Sequence, residues 1–348
     1  MIEGAGMKIT IKQIAEMAGV HRSTVDKVLH NREGVSEEVR QRVQRIIDEY
    51  EYKPNPIGQA LKMQKKTIRI GIILLKVDAE EIVREGIRRE LTSYQSFDIQ
   101  LDYHSVMYPD INGQLKLIHQ MIEKKVDGII LSPINSEEIV HAINYCMSMK
   151  IPVVTVNSDI KGSQRFCFIG QDGSRAGKVA GRLMGEFLNG KGSVAVFTSD
   201  GDARQSFFFD KREGGFRGLL EKEYPKIHML KSIRTDEDPA IIVQETKKLL
   251  DKEKKLDGIF ITCGGVKEVG KVLRQEKRED IKVICYEDYP EVLDLVKEKV
   301  VDVTIATELK KQGGQALDVM MDYLIYEKKP PRKHLYTDMK IILKECIE

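Results

Sequence analysis

Thr10-Ile11-Lys12-Gln13-Ile14-Ala15-Glu16-Met17-Ala18-Gly19 and its continuation Val20-His21-Arg22-Ser23-Thr24-Val25-Asp26-Lys27-Val28-Leu29 decide how this 348-residue chain is read. Thr10 is placed to cap a helix with Gln13 three residues on, and Ile11, Ile14, Ala15 and Ala18 recur on one helical face. Gly19 ends that helix. In the second run Val25, Val28 and Leu29 form a buried face, while Arg22, Ser23, Asp26 and Lys27 point elsewhere. After a loop over 31–35, Ser36 caps a third helix carrying Val39, Val43, Ile46 and Ile47 at helical spacing. Two helices joined by a tight glycine turn make a helix-turn-helix. A short second helix with a polar first turn can enter a major groove and present side chains to base edges, with Arg22, Ser23 and Lys27 as candidates. The same pattern suits a small bundle whose polar face meets only water.

Residues 52–66 form a basic linker in which Asn55 can cap and Pro56 can take the first position of a two-turn helix. Two turns do not hold alone, so this segment is expected to order against DNA or a second copy. At this point the chain resembles the LacI/GalR family of transcription regulators. The likeness lies in Thr10 to Val20, Ser23-Thr24-Val25, Val28-Leu29, Val35 to Arg40 and Tyr52 to Asn55. The resemblance implies that Arg22, Ser23 and Lys27 read bases and that Leu61 wedges into the minor groove, kinking the duplex. Thr10, His21 and Thr24 complete the DNA-facing set it implies. His21 departs from the small polar cap usual in the family, Asp26 from serine and Lys27 from arginine. Lysine lacks arginine's bidentate fork for guanine, and Asp26 would repel a phosphate it faced. Gly58 inside the hinge helix costs about 0.5–1 kcal/mol against alanine.

Length predicts two or three compact units. No apolar run approaches the ~20 residues that cross a bilayer, and the start lacks a secretory pattern, so no membrane partner and a cytoplasmic location are expected. Residues 1–66 hold 12 Lys+Arg against 9 Asp+Glu, placing the basic excess at the N-terminus. Cys146, Cys167, Cys263, Cys285 and Cys346 are odd in number and scattered, which predicts reduced thiols, no metal and no cofactor.

From Thr67 onward short apolar strands alternate with amphipathic helices, the rhythm of a parallel sheet covered on both faces. Lys124-Lys125-Val126-Asp127-Gly128-Ile129-Ile130 is echoed by Lys254-Lys255-Leu256-Asp257-Gly258-Ile259-Phe260, which predicts two similar halves. Ligands bind beyond the carboxyl ends of such strands. The loops there are 76–78, 133–135, 157–159, 199–204, 263–265 and 287–288. Carboxylates and amides beside Arg175 and Arg212 suit a sugar or polyol, although each charged residue is equally at home on a solvated surface.

This region looks like the type I periplasmic-binding-protein fold, especially its ribose-binding branch, in Ile151 to Asp159 and Phe168 to Gly177. The resemblance implies an all-α helix-turn-helix domain at 8–53, a hinge and linker at 54–66, and a two-lobed α/β effector domain with two parallel sheets at 67–348. The lobes would comprise 67–171 with 308–336, and 172–307 with 337–348. It puts Asn157, Asp172, Arg212, Glu287 and Thr307 on ligand positions, to which the strand-end loops add Asp78, Asn135 and Asp159. Glu287 replaces the usual aspartate and Thr307 the usual amide.

The near-P-loop Gly185 to Gly192 follows a helix and precedes a strand, the reverse of a phosphate cradle, and reads as a helix stop. Phe207-Phe208-Phe209 cannot all face one core and points either into the cleft or onto a packing contact. The expected function is a homodimeric DNA-binding regulator, most simply a repressor, on a near-palindromic operator of double-stranded DNA and controlled by a small carbohydrate. The competing reading is a solute-binding protein of a sugar transporter. An enzyme lacks any motif for a nucleophile or paired catalytic acids.

Overall fold

The computed structural model describes residues 9–29, 32–50, 52, 60, 61, 63–199 and 206–348, with no side-chain description for 206–208. Pro54, Asn55, Pro56 and Gly58 of the hinge, the loop 200–204 and the side chains of Phe207 and Phe208 lie outside it. The chain divides into two compact units, 1–66 and 67–348.

The first unit holds α1 (Ile11–Ala18), α2 (Arg22–Leu29) and α3 (Glu37–Glu49). Thr10 Oγ1 accepts from Gln13 N at 3.3 Å while Gln13 Oε1 accepts from Thr10 N at 2.9 Å, a complete capping box. Gly19 takes the left-handed conformation at φ 62°, which frees the chain to turn into α2. Ser36 caps α3. Ile14, Ala15, Ala18, Val25, Val28, Val43 and Ile47 close one core between the three helices.

In the second unit, one sheet runs β12-β5-β4-β3-β1-β2 and the other β13-β11-β10-β9-β6-β7, with β8 beside β6. The first sheet comprises β1 (Ile68–Leu75), β2 (Ile99–Val106), β3 (Gly128–Leu131), β4 (Val153–Val156), β5 (Cys167–Gly170) and β12 (His334–Tyr336), all parallel. The second comprises β6 (Lys191–Thr198), β7 (Lys226–Met229), β8 (Ile233–Arg234), β9 (Gly258–Ile261), β10 (Lys282–Tyr286), β11 (Val303–Ala306) and β13 (Lys340–Ile342), of which only β13 pairs antiparallel. The four-residue strands β3, β4, β5, β9 and β11 are buried along their whole length, as strands covered on both faces must be.

The connecting helices are α4 (Ala79–Leu91), α5 (Ile111–Glu123), α6 (Glu137–Ser148), α7 (Gly173–Phe187), α8 (Ser206–Glu223), α9 (Pro239–Lys252), α10 (Val266–Gln275), α11 (Pro290–Lys297) and α12 (Leu309–Tyr326). Glycines let two helix pairs meet backbone to backbone. A Cβ on Gly86 of α4 would sit 2.0 Å from Lys310 O of α12, and one on Gly177 of α7 would sit 1.9 Å from Arg212 O of α8. Three segments cross between the sheets, at Gln171–Asp172, at Thr307–Glu308 and at Thr337–Met339. Thr337 N donates to Gly170 O at 2.9 Å and Thr337 Oγ1 to Thr307 O at 3.2 Å, so the three crossings are bonded side by side. Gly185 to Gly192 is the end of α7 and the start of β6, a helix stop followed by a strand. Among the described residues no helix is long and apolar enough to cross a membrane, and no cluster of His, Cys, Asp or Glu has the arrangement of a metal site.

Candidate functional site

In the first unit, burial of Val25 and Val28 turns the opposite face of α2 outward, leaving His21, Arg22 and Ser23 exposed and Thr24 and Lys27 partly so. His21 takes the capping place in its own way: Nδ1 accepts from Ser23 N at 3.3 Å and meets Ser23 Oγ at 2.9 Å. An imidazole nitrogen thus replaces a hydroxyl cap, which requires Nδ1 without its proton. Asp26 pairs with Arg32 at 3.3 Å, which offsets its charge. Thr10 is spent on the α1 capping box. Ala60, Leu61 and Met63 are helical, Gln64 N donates to Ala60 O at 2.9 Å, and Leu61 is 56% exposed.

The second unit gathers buried Arg212 and Thr307 and partly buried Glu287 into one bonded group. α8 carries Arg212, 3% exposed, with its guanidinium 3.6 Å from the centroid of the Tyr286 ring. Its Nη1 donates to Thr262 O at 2.8 Å, its Nε and Nη2 donate to Gln171 Oε1 at 3.2 and 3.0 Å, and Nη2 reaches Glu287 Oε1 at 3.5 Å. Thr307 Oγ1 donates to Glu287 Oε2 at 3.0 Å. Burial raises the Glu287 carboxyl above the usual range, and Arg212 and Thr307 pull it back. A charged pair held this way keeps lone pairs on Glu287 for hydroxyl donors.

Non-glycine residues with positive φ sort into two sets. Lys125, Lys150, Asn189, Lys277, Lys299 and Glu327 end helices, whereas Asn157 (64°), Asp236 (49°), Glu237 (59°), Glu287 (77°) and Glu308 (49°) follow strands β4, β8, β10 and β11. The second set lies where the two sheets present their loops, and such backbone strain marks functional sites more often than frameworks. Asn157 shares a hollow with Val77, Glu80 and Ser132 on the first lobe. Exposed Asp78 ends the loop before α4 without capping it; burial first, then the charges of Glu287 and Asp78, raise the Tyr289 hydroxyl on the other lobe. Asn135 is partly buried in the loop after β3.

Other candidates bond different partners. Asp159 is 10% exposed and grips Arg165 through two bonds, one from Nη2 at 2.6 Å, while Thr155 Oγ1 donates to it at 3.2 Å. That carboxylate is occupied in tying the loop 158–165 to β12 through Arg165 Nη1 and Lys333 O. Asp172 caps α7 by accepting from Arg175 N at 3.1 Å. Arg175 itself is exposed and lines a shallow groove with Lys178, Arg182 and Ile341. The sequence reading missed Gln171, Thr262 and Tyr286. Gln171 stands beside Asp172 in the quoted run, yet nothing local in a glutamine after a strand signals an arginine partner.

Residues 78–329 match the periplasmic binding protein domain family, and residues 10–55 match the lacI family of bacterial regulatory proteins. Catabolite control protein A of Staphylococcus xylosus is 28% identical over 198 residues, covering 49% of this chain and 57% of that protein. The regulator DegA of Bacillus subtilis is 27% identical over 253 residues, 71% of each chain. The regulator RegA of Clostridium acetobutylicum is 31% identical over 156 residues, 44% of each. In the first of these alignments the chain spans little more than half of its relative's length. Among solved structures, GanP, a glucose-galactose binding protein of Geobacillus stearothermophilus, superposes with a TM-score of 0.72 at 23% identity, covering 80% of this chain and 98% of that one. A sugar-binding protein of Bacillus halodurans gives 0.72 at 25% identity over the same shares. The chain belongs to the LacI/GalR family of regulators, its larger part a periplasmic-binding-protein domain.

Proposed function

We propose that the protein is a cytoplasmic, homodimeric transcription regulator, acting as a repressor, that binds a near-palindromic operator and responds to a neutral sugar or polyol in the cleft between its lobes. The observation that carries the reading is the first unit: a helix-turn-helix whose first helix carries a complete capping box and whose second leaves Arg22 and Ser23 exposed on its free face. Leu61, 56% exposed in a helical turn, suits a minor-groove wedge. The Arg212–Glu287–Thr307 group supports the effector class. The paired arginine and glutamate leave no unbalanced charge for an anionic ligand and offer both donors and acceptors to hydroxyls. Effector control follows from differential binding: a ligand that favours one lobe angle shifts how two subunits present their N-terminal units. No residue of the cleft is assigned a catalytic role.

Operator selection from random duplexes with the full chain, followed by titration of Arg22→Ala and Leu61→Ala, tests the DNA arm. Both variants are expected to lose specific binding and keep their folded cleft. Unchanged affinity in both would reject the assignment. A thermal-shift screen of pentoses, hexoses and inositols tests the other arm, since ligand at 100 times its Kd stabilises by about 2.7 kcal/mol. No shift across that panel would reject a carbohydrate effector.

A further inference from the structure

Gln171 lies on the first crossing between the lobes, 2% exposed, and its Oε1 is the shared acceptor for Nε and Nη2 of Arg212. Its Nε2 is buried and, among the described residues, has no hydrogen-bond partner. An unmet buried donor costs about 1–3 kcal/mol and calls for an explanation from its surroundings. A methionine of similar length would fill the place without that cost.

The bonds around Gln171 form a closed circuit. Gln171 holds Arg212, Arg212 reaches Glu287, and Glu287 accepts from Thr307 on the second crossing. Thr307 O accepts from Thr337 Oγ1 on the third crossing, and Thr337 N returns to Gly170 O, next to Gln171. Gln312 Nε2, from the first turn of α12, also donates to Thr307 O. Every rotation of one lobe on the other turns these three crossings, and the group proposed to grip the effector is bonded to all of them.

We propose that Gln171 is a positioning residue that ties the orientation of Arg212 to the lobe angle, and so couples effector occupancy to the hinge. The proposal rests on the reading of Arg212 and Glu287 as effector ligands. Gln171 fixes the guanidinium over the Tyr286 ring and makes its direction a function of the first crossing. Bare affinity for the effector and transmission of its presence then depend on the same amide oxygen.

Gln171→Met removes the acceptor at similar volume, and Gln171→Glu keeps an acceptor while deleting the orphan donor. Both full-length variants are compared with the parent chain by three readouts. The first is amide exchange at Thr337, which needs no ligand: Met is expected to speed it at least about tenfold and Glu to leave it within about threefold. The second is the Kd for the tightest binder among D-ribose, D-glucose, D-galactose, L-arabinose and myo-inositol, expected to rise about tenfold or more in Met. The third is the ratio of operator Kd with and without that sugar, expected to collapse toward one in Met and to survive in Glu. Parent-like exchange in Gln171→Met, or equal loss of the operator ratio in Met and Glu, overturns the proposal. If no sugar binds the parent chain, the effector reading fails, while the exchange experiment still decides whether Gln171 governs the crossings.

Discussion

Asp127 and Asp257 hold the same station in the two lobes. Each accepts a backbone N–H from the neighbouring strand, Arg69 at 2.9 Å and Ser193 at 2.8 Å, and each returns its own N–H to the carbonyl of that same residue. The echo of Lys-Lys-x-Asp-Gly in the sequence is therefore structural: it clamps the start of β3 to β1 and of β9 to β6. The glycine that follows completes the device, because a Cβ on Gly128 would lie 2.3 Å from Met320 Sδ and one on Gly258 2.6 Å from Met184 Sδ.

Gly128→Ala and Gly258→Ala are each expected to destabilise the second unit by about 1–3 kcal/mol through overpacking. Urea unfolding of the full chain measures this. Losses below about 0.5 kcal/mol in both, within the range of a surface change, would mean that the methionines swing aside and the clamps do not depend on glycine.

Arg165→Met leaves Asp159 buried without its cation and is expected to cost about 3–5 kcal/mol. Adding Asp159→Leu removes the stranded charge, so the double variant recovers most of the loss. Sugar affinity of the double variant is expected to stay within about threefold of the parent, less than 1 kcal/mol. A hundredfold loss in a well-folded double variant would return Asp159 to the effector site.

Asp318 on α12 accepts from Tyr94 Oη at 2.9 Å and faces Glu90 on α4, with Asp322 on its own helix and Lys328 beyond it. Burial first, then the Glu90 charge, pushes its carboxyl up to about 6. The native state therefore holds a proton that the unfolded chain releases near pH 4. Stability is undiminished below that pH and falls as pH rises through about 6. Asp318→Asn is expected to be more stable than the parent at pH 8 by about 1 kcal/mol, a two-unit shift discounted for solvent screening, with no difference at pH 3.5. An equal difference at both pH values would show that charge is not the cause.

His21→Ala removes the cap of α2 and is expected to destabilise the N-terminal unit by about 1 kcal/mol, with His21→Ser restoring it. Arg22→Ala is expected to leave that unit's melting unchanged while weakening a selected operator by about 1–3 kcal/mol. Hydrogen exchange in α1 to α3 and operator titration at fixed salt separate the two effects. Melting lowered equally by both substitutions would place Arg22 in the framework.

What the sequence alone determined is what short range and periodicity can carry. Thr10 with Gln13, Gly19 and Ser36 set the helix ends because caps act within three residues. The alternation of apolar strands and amphipathic helices set two parallel sheets because both faces must be buried. Grouping Arg212 with Glu287 and Thr307 came from resemblance, and their contact is a product of the fold. Only the tertiary structure decided that Asp159 is spent on Arg165, which in turn bonds Lys333, that Arg175 lines an exposed groove with Lys178 and Arg182, and that Gln171 holds the guanidinium. The reason is physical: a carboxylate or amide at a strand end looks the same in sequence whichever partner it meets. That partner lies 41 residues away for Gln171 and, through Arg165, 168 residues away for the loop of Asp159, brought near only when strands from distant parts of the chain take their places in a sheet.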